Sequence, residues 1–375
     1  MITAVDHLLE LIRLSSVSSL SNRPVIEYAE RFLHAKQWVM RRLAYRDSSG
    51  EEKINLIAAP PNQDIFTRDV DLAFFCHTDT VPFSADWAGA LDPFIEDGKL
   101  RGCGACDVKG FLACLLAAVD QVDSEHFLDG LRIVLTADEE IGCIGAAHLI
   151  AEDALRAKRV VVGEPTSLHV ARAGKGYCLA KVIVSGKEAH SAHPDSGASA
   201  IFAAARLVSA VEELGNDLTK ERHRFFDPGF TTINIGTIHG GTAKNIVPGQ
   251  CELMVEWRPI PGQSADRVLN AVHAIASELK KADPRFDYRV TTLRKQAGFE
   301  TPEDAPLVSE ITQITGRTAT SIPFGSEASL LSAIAEQVVV IGPGDMRSAH
   351  SDRECVPLAE LDLTVQLVAK MMRQC

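Results

Sequence analysis

The sequence predicts an α/β protein: a catalytic domain with a mainly parallel central sheet between helices, interrupted by an inserted ferredoxin-like domain of order βαββαβ. Three observations carry this. The first ~165 residues alternate apolar strand-like runs with helix-like stretches, punctuated by Gly and Pro turns. Near-continuous apolar runs such as LAFFC (72–76) and RIVLT (132–136) suit strands covered by helices on both faces. The middle of the chain then changes to strands of alternating pattern, and the earlier helix–strand alternation resumes after about Lys295.

In chain order, the N-terminal stretch reads as an amphipathic helix, with Val5, Leu8, Leu9 and Ile12 at helical spacing and Asp6, His7 and Glu10 among them. That is not the pattern of a signal peptide. Strands are expected at Asn55–Ala58, Asp71–Cys76, Leu131–Thr136 and Val160–Gly163. Helices are expected from Pro24 to Lys36, Lys109 to Val122 and Gly145 to Ala157. The insertion begins with a strand at Gly176–Ser185 and a helix at Ala198–Leu214. Strands Phe230–His239 and Cys251–Trp257 follow, joined across GGTAKNIVPG, then helix Ala265–Lys281 and strand Phe286–Thr292. A last strand, Gln337–Ile341, returns to the first domain. The expected division is therefore residues 1–170 and 294–375 for the catalytic domain and 171–293 for a lid and dimerisation domain.

Composition narrows the function classes. The net charge is −12, from 38 basic and 50 acidic residues, and no Lys/Arg block stands out, so nucleic acid and anionic membrane are poor partners. No run reaches the ~18 apolar residues of a membrane span. Nine scattered cysteines, an odd number, fit reduced thiols better than a disulfide framework, so a cytoplasmic location is expected. Cys103 and Cys106 have C-x-x-C spacing, but no second ligand pair accompanies them; they read as small residues in a tight turn.

Five segments hold residues suited to metal chemistry: His77 and Asp79 in FFCHTDTVP, Asp107 in CGACDVKG, Glu139 and Glu140 in TADEEIG, Glu164 in VVGEPTS, and His350 in GPGDMRSAHSD. A carboxylate-rich set of mixed N and O donors suits two divalent ions sharing a bridging carboxylate, an arrangement that activates water. Each segment alone has a bland alternative, such as a solvated glutamate pair or an N-cap aspartate at Asp107; five together do not. His77 ends an apolar strand, which puts its ring at the carboxyl edge of the sheet as a ligand. Asp79, two residues on, is placed to orient that ring. Glu139 and Glu140 point to different sides, so one can ligate while the other stays free as a base. Spacing alone leaves open which does which.

HTDTVP, the Gly-rich turn with CDVKG, TADEEIG, GEPTS and AHSDRE together resemble the M20 metallopeptidase family over essentially the whole chain, including GKEAHSAHP and GGTAKNIVPG of the insertion. The resemblance implies a dinuclear zinc amidohydrolase, with cobalt as a substitute metal. Asp107 would bridge the ions, His77 and Glu164 would hold one, and Glu140 and His350 the other. Glu139 would be the general base. It further implies a homodimer in which His190 reaches the partner's site and stabilises the oxyanion, with Asn245 and Arg258 holding the substrate carboxylate. CDVKGF, DEEIGCIGA, RPIPGQ and GSEA are most similar to the branch that deacetylates N2-acetylornithine; other N-acyl amino acids are the near alternatives, and a non-catalytic metal- or amino-acid-binding protein the distant one. Glu327 in FGSEASL is the candidate to meet the ornithine ammonium, with a structural hydrogen-bond acceptor in a Gly/Ser turn as the equal alternative. Two departures from the family pattern stand out: Val108 after the bridging aspartate, and SDREC after His350.

Overall fold

The structure, a computed structural model, describes residues 2–373. The chain divides into two compact units. The first takes the chain up to Arg172, then Thr301–Ser321 and Ser326 onward; the second is Ala173–Glu300 with Ile322–Gly325.

The first unit opens with helices α1 (Ala4–Arg13) and α2 (Arg23–Ala35). A capping box starts α1: the Thr3 hydroxyl accepts the Asp6 N–H at 3.1 Å, and the Asp6 carboxylate accepts the Thr3 N–H at 2.9 Å. Strands β1 (Val39–Arg46), β2 (Glu52–Ala59) and β3 (Asp69–His77) follow, then α3 (Lys109–Val119), β4 (Leu131–Thr136), α4 (Ile144–Ala151) and β5 (Arg156–Val162). After the insertion come α7 (Pro306–Thr315), α8 (Ala328–Leu331), β12 (Ala335–Val340) and α9 (Leu358–Met371), with the insertion's own elements numbered between.

These strands form one sheet in the order β1-β2-β4-β3-β5-β12. The four strands β4, β3, β5 and β12 run parallel, whereas β1 and β2 add an antiparallel edge. Leu72, Phe74, Ile133, Leu135, Val161 and Val339 share one core with α1, α3 and α9. The alternate residues Ala73, Phe75, Val134 and Val160 are buried too, so both faces of the sheet are covered. Burying each large apolar side chain contributes about 1.5–3 kcal/mol, which makes these strands the rigid floor of whatever sits at their ends.

In the insertion, β6 (Tyr177–Ser185), the two-residue β7 (Ala189–His190), α5 (Ala200–Leu218), β8 (Thr232–Gly240), the two-residue β9 (Ile246–Val247), β10 (Gln250–Arg258), α6 (Asp266–Ala282) and β11 (Asp287–Gln296) follow in order. The main sheet is antiparallel throughout, ordered β8-β10-β6-β11. Cys251, Leu253, Val255 and Trp257 alternate along β10 and pack with Leu207 and Val211 of α5 and Val268 and Val272 of α6, so both helices cover one face.

The structure departs from the sequence reading at four points. Strand β1 was not foreseen; Leu43 is its single buried residue, so no apolar pattern announces it. Helix α4 stops at Ala151, because Asp153 turns the chain with a left-handed φ of 46° and Arg156–Lys158 already belong to β5. The insertion's end, expected at 293, lies at Glu300: the register of β11 shifts between Thr292 and Arg294, which hides the continuing strand. The chain then returns to the insertion once more at Ile322–Gly325, a crossing the sequence does not announce.

Cys103 and Cys106 are free thiols. No helix among the described residues is long and apolar enough to cross a membrane.

Candidate metal centre

The four parallel strands deliver the site. His77 is the last residue of β3, Glu139 and Glu140 follow β4, Glu164 follows β5, and the loop carrying His350 follows β12. Open α/β sheets build sites at this carboxyl edge. Asp107 comes from the turn before α3, whose N-cap is Val108, so Asp107 is not the capping residue.

Asp107 faces both histidines. Its Oδ1 lies 3.2 Å from Nε2 of His77, and its Oδ2 lies 3.0 Å from Nε2 of His350. Two ligand groups result, each with donor atoms within 4.8 Å of one another: His77, Asp107 and Glu164, and Asp107, Glu140 and His350. Glu140 is held against His350, Oε1 to Nε2 at 3.2 Å. The donor set fits a pair of divalent cations: imidazole and carboxylate ligands, with one carboxylate offering an oxygen to each group.

Electrostatics agree with that fit. Asp79, Asp107, Glu139 and Glu164 are buried and Glu140 nearly so, against two imidazoles. Burial pushes the Glu139 carboxyl up to about 7, the His77 imidazole acts against it, and the charges of Glu140, Asp79 and Asp107 add to it. Glu164 is pushed well above the usual carboxylate range by burial and by Asp107. Such an excess of buried negative charge is costly unless cations neutralise it. His350, by contrast, is raised to about 10 by its bonds to Asp107 and Glu140.

Asp79 ties the segments together. The Nδ1 atom of His77 lies 3.1 Å from the carbonyl of Asp79 and 3.6 Å from its Oδ1. The same carboxylate accepts the backbone N–H groups of Glu139 at 3.1 Å and Glu140 at 3.3 Å, and the Ser18 hydroxyl at 2.7 Å. It therefore fixes both the imidazole and the glutamate pair.

Three supports escaped the sequence reading. Glu354, four residues past His350, accepts the N–H groups of Gly104, Cys106 and Asp107 at 3.0, 3.1 and 3.1 Å. It holds the turn in which Gly104 takes a φ of +81° and a Cβ would meet Lys109 at 2.9 Å. Lys53, wholly buried, bonds Asp138 at 2.9 Å and the Ser18 carbonyl at 2.6 Å, bracing the strands beside Asp79 and Glu139. Ser18 itself lies far in sequence from what it holds. Only Glu354 carried a signal, its place in the run quoted for His350.

The remaining candidates are outside the two ligand groups. In the insertion, His190 and Asn245 are brought together: His190 pairs with Ile246 across β7 and β9, and the Ser191 N–H bonds the Asn245 carbonyl at 3.0 Å. Both side chains are exposed. Arg258 sits at the far end of β10, in an ion pair with Glu256 at 2.7 Å and over the Tyr177 ring. Glu327 corrects an expectation. It has no accessible surface, so a substrate ammonium cannot reach it in this structure; burial pushes its carboxyl up to about 8, against the Thr136 hydroxyl and His77.

The profile of peptidase family M20/M25/M40 matches residues 73–374. The chain belongs to the M20 family. It is thus a metal-dependent amidohydrolase. An acetylornithine deacetylase of Myxococcus xanthus is 42% identical, covering 94% of this chain and 92% of its own. One from Aliivibrio fischeri is 30% identical, covering 98% and 97%. Among solved structures, an M20 metallo-carboxypeptidase from Sulfolobus solfataricus covers 99% of both chains with a TM-score of 0.75 at 16% identity. An aminopeptidase from Bacillus cereus covers 98% and 97% with a TM-score of 0.75 at 22% identity. These two likenesses are of fold.

Proposed function

We propose that this M20 chain is a dinuclear zinc enzyme, able to use cobalt, that hydrolyses N2-acetyl-L-ornithine to L-ornithine and acetate in the cytoplasm. The chemistry rests on one observation above all: a buried aspartate whose two oxygens face two imidazoles, with Glu139 beside them. The substrate rests on the 42% identical relative named for that reaction.

His77 and Glu164 would hold one ion, Glu140 and His350 the other, and Asp107 both. Bound there, the ions would polarise the acyl carbonyl and lower the pKa of the attacking water. Glu139 takes the proton from that water as it adds to the carbonyl carbon. The C–N bond then breaks, and Glu139 returns the proton to the departing amine nitrogen, so the carboxylate ends as it began. Its raised proton affinity suits both transfers. Asp79 keeps His77 and the glutamate pair in register throughout. The exposed imidazole of His190 donates to the oxyanion, and Asn245 and Arg258 hold the substrate carboxylate, Arg258 after leaving Glu256.

Within the insertion these residues lie on different elements. His190 and Asn245 lie at the β7–β9 pair, whose Val247 is three residues before β10, and Arg258 ends β10, a strand of roughly 26 Å at about 3.3 Å per residue. A substrate the size of acetylornithine spans far less. This separation supports a homodimer in which the His190–Asn245 end serves the partner subunit's site.

The test is a steady-state assay of zinc- and cobalt-loaded protein against acetylornithine, acetylcitrulline, acetylmethionine and succinyl-diaminopimelate. Highest kcat/KM on acetylornithine is expected. A preference for any other member of the panel overturns the substrate assignment and leaves the hydrolytic chemistry standing.

A further inference from the structure

Glu139 needs an orientation as well as a proton affinity, and the chain provides a neighbour for that purpose. The thiol of Cys143 lies 3.2 Å from Oε1 of Glu139. Among the described residues no other donor reaches that carboxylate. Cys143 is fully buried, so the thiol is not a solvent-facing nucleophile. Its place is set by the backbone: the N–H groups of Gly142 and Cys143 both bond the Glu139 carbonyl at 2.9 Å, closing a turn back onto the glutamate. Cys143 itself adopts a left-handed φ of 56° before α4 begins at Ile144.

We propose that Cys143 is a positioning residue for the general base, its S–H donating to Oε1 of Glu139 so that Oε2 is left for the proton in transit. The inference rests on the reading of Glu139 as the base. Its physical logic lies in the weakness of the donor. Among the described residues the Cys143 thiol is the single donor to the Glu139 carboxylate. A cationic donor would hold it but would also strip its basicity. A thiol is neutral and a weak donor, so it restrains the rotamer while leaving the carboxylate able to bind a proton and release it.

The experiment compares Cys143→Ala, Cys143→Gly and Cys143→Ser in the metal-loaded protein, with Glu139→Ala alongside, following kcat, KM and bound metal. Ala and Gly remove the donor; Gly also relieves the left-handed backbone, so it remains informative if Ala folds poorly. Both are expected to lower kcat roughly three- to tenfold, the scale of one modest hydrogen bond, with KM and metal content held. Ser keeps a donor on a shorter bond and should recover most of that loss. Unchanged kcat in Ala and Gly overturns the inference, and so does equal impairment of Ala, Gly and Ser, which would mark Cys143 as packing alone. If Glu139→Ala itself keeps its turnover, the base assignment falls and this inference falls with it. If Glu139→Ala is inactive while Cys143→Ala and Cys143→Gly are not impaired, only the Cys143 inference is lost.

Discussion

At the scale of single residues, the two adjacent glutamates carry opposite expectations. Glu140 is held against His350 and Asp107 holds that histidine as well, so Glu140→Ala should lose about half of the bound metal. Glu139 lies outside both ligand groups, so Glu139→Ala should keep its metal and lose kcat by at least ~10²-fold. Metal analysis beside steady-state kinetics checks both, and metal loss in Glu139→Ala instead would reverse the assignment. The sequence could place the pair after a strand but not divide its labour, because adjacency says only that the side chains diverge. What separates them is contact with residues 210 positions away, and no local pattern carries that. Glu327 shows the converse: FGSEASL reads equally as a ligand-facing or a structural turn, and the residue caps α8 with no accessible surface.

At the scale of elements, the turn carrying Asp107 depends on Glu354. Glu354→Ala leaves three buried N–H groups without their acceptor, each costing about 1–3 kcal/mol. A lower melting temperature and weaker metal retention are expected, with Glu354→Gln between the two because its amide oxygen still accepts. Equal metal affinity in wild type and Glu354→Ala would remove this role. The first helix offers a pH prediction away from the metal. His7 of α1 is buried, bonded to Tyr28 at 2.8 Å, and burial pushes its pKa down to about 4, with Asp120 and Asp6 acting the other way. The unfolded chain therefore binds a proton below about 6.5 that the folded chain refuses until about 4. Stability from this group is intact above 6.5 and is lost as pH falls to 4, on the order of 3 kcal/mol in full. Denaturant titrations of chelator-treated wild type and His7→Leu should show the smaller acid loss in the variant; equal losses would refute the point. Long apolar elements such as β3 and β4 were legible because burial on both faces writes itself into composition. Strand β1, half-exposed and rich in arginine, was not, since its place comes from pairing with β2 rather than from a buried face.

At the scale of the whole molecule, residues drawn from five segments meet because four parallel strands end side by side. That convergence could be expected from the sequence, as each ligand follows an apolar strand or opens a helix. The reach of the insertion could not, because it depends on which end of β10 each residue occupies. His190 and Asn245 lie at the β7–β9 pair and Arg258 ends β10. The insertion also exposes apolar surface suited to burial against a second copy: Ile201 and Phe202 of α5, the latter 71% exposed, and Ile238 on the edge strand β8. If His190 serves the partner subunit, an inactive Glu139→Ala chain and an inactive His190→Ala chain complement each other. A mixed dimer pairs the intact Glu139 of one chain with the intact His190 of the other, in one of its two sites. Random exchange makes about half the dimers mixed, so recovered activity should approach about a quarter of wild type. Subunit exchange is verified separately with distinguishable tags. Exchange without recovered activity would put His190 at its own chain's site or outside catalysis.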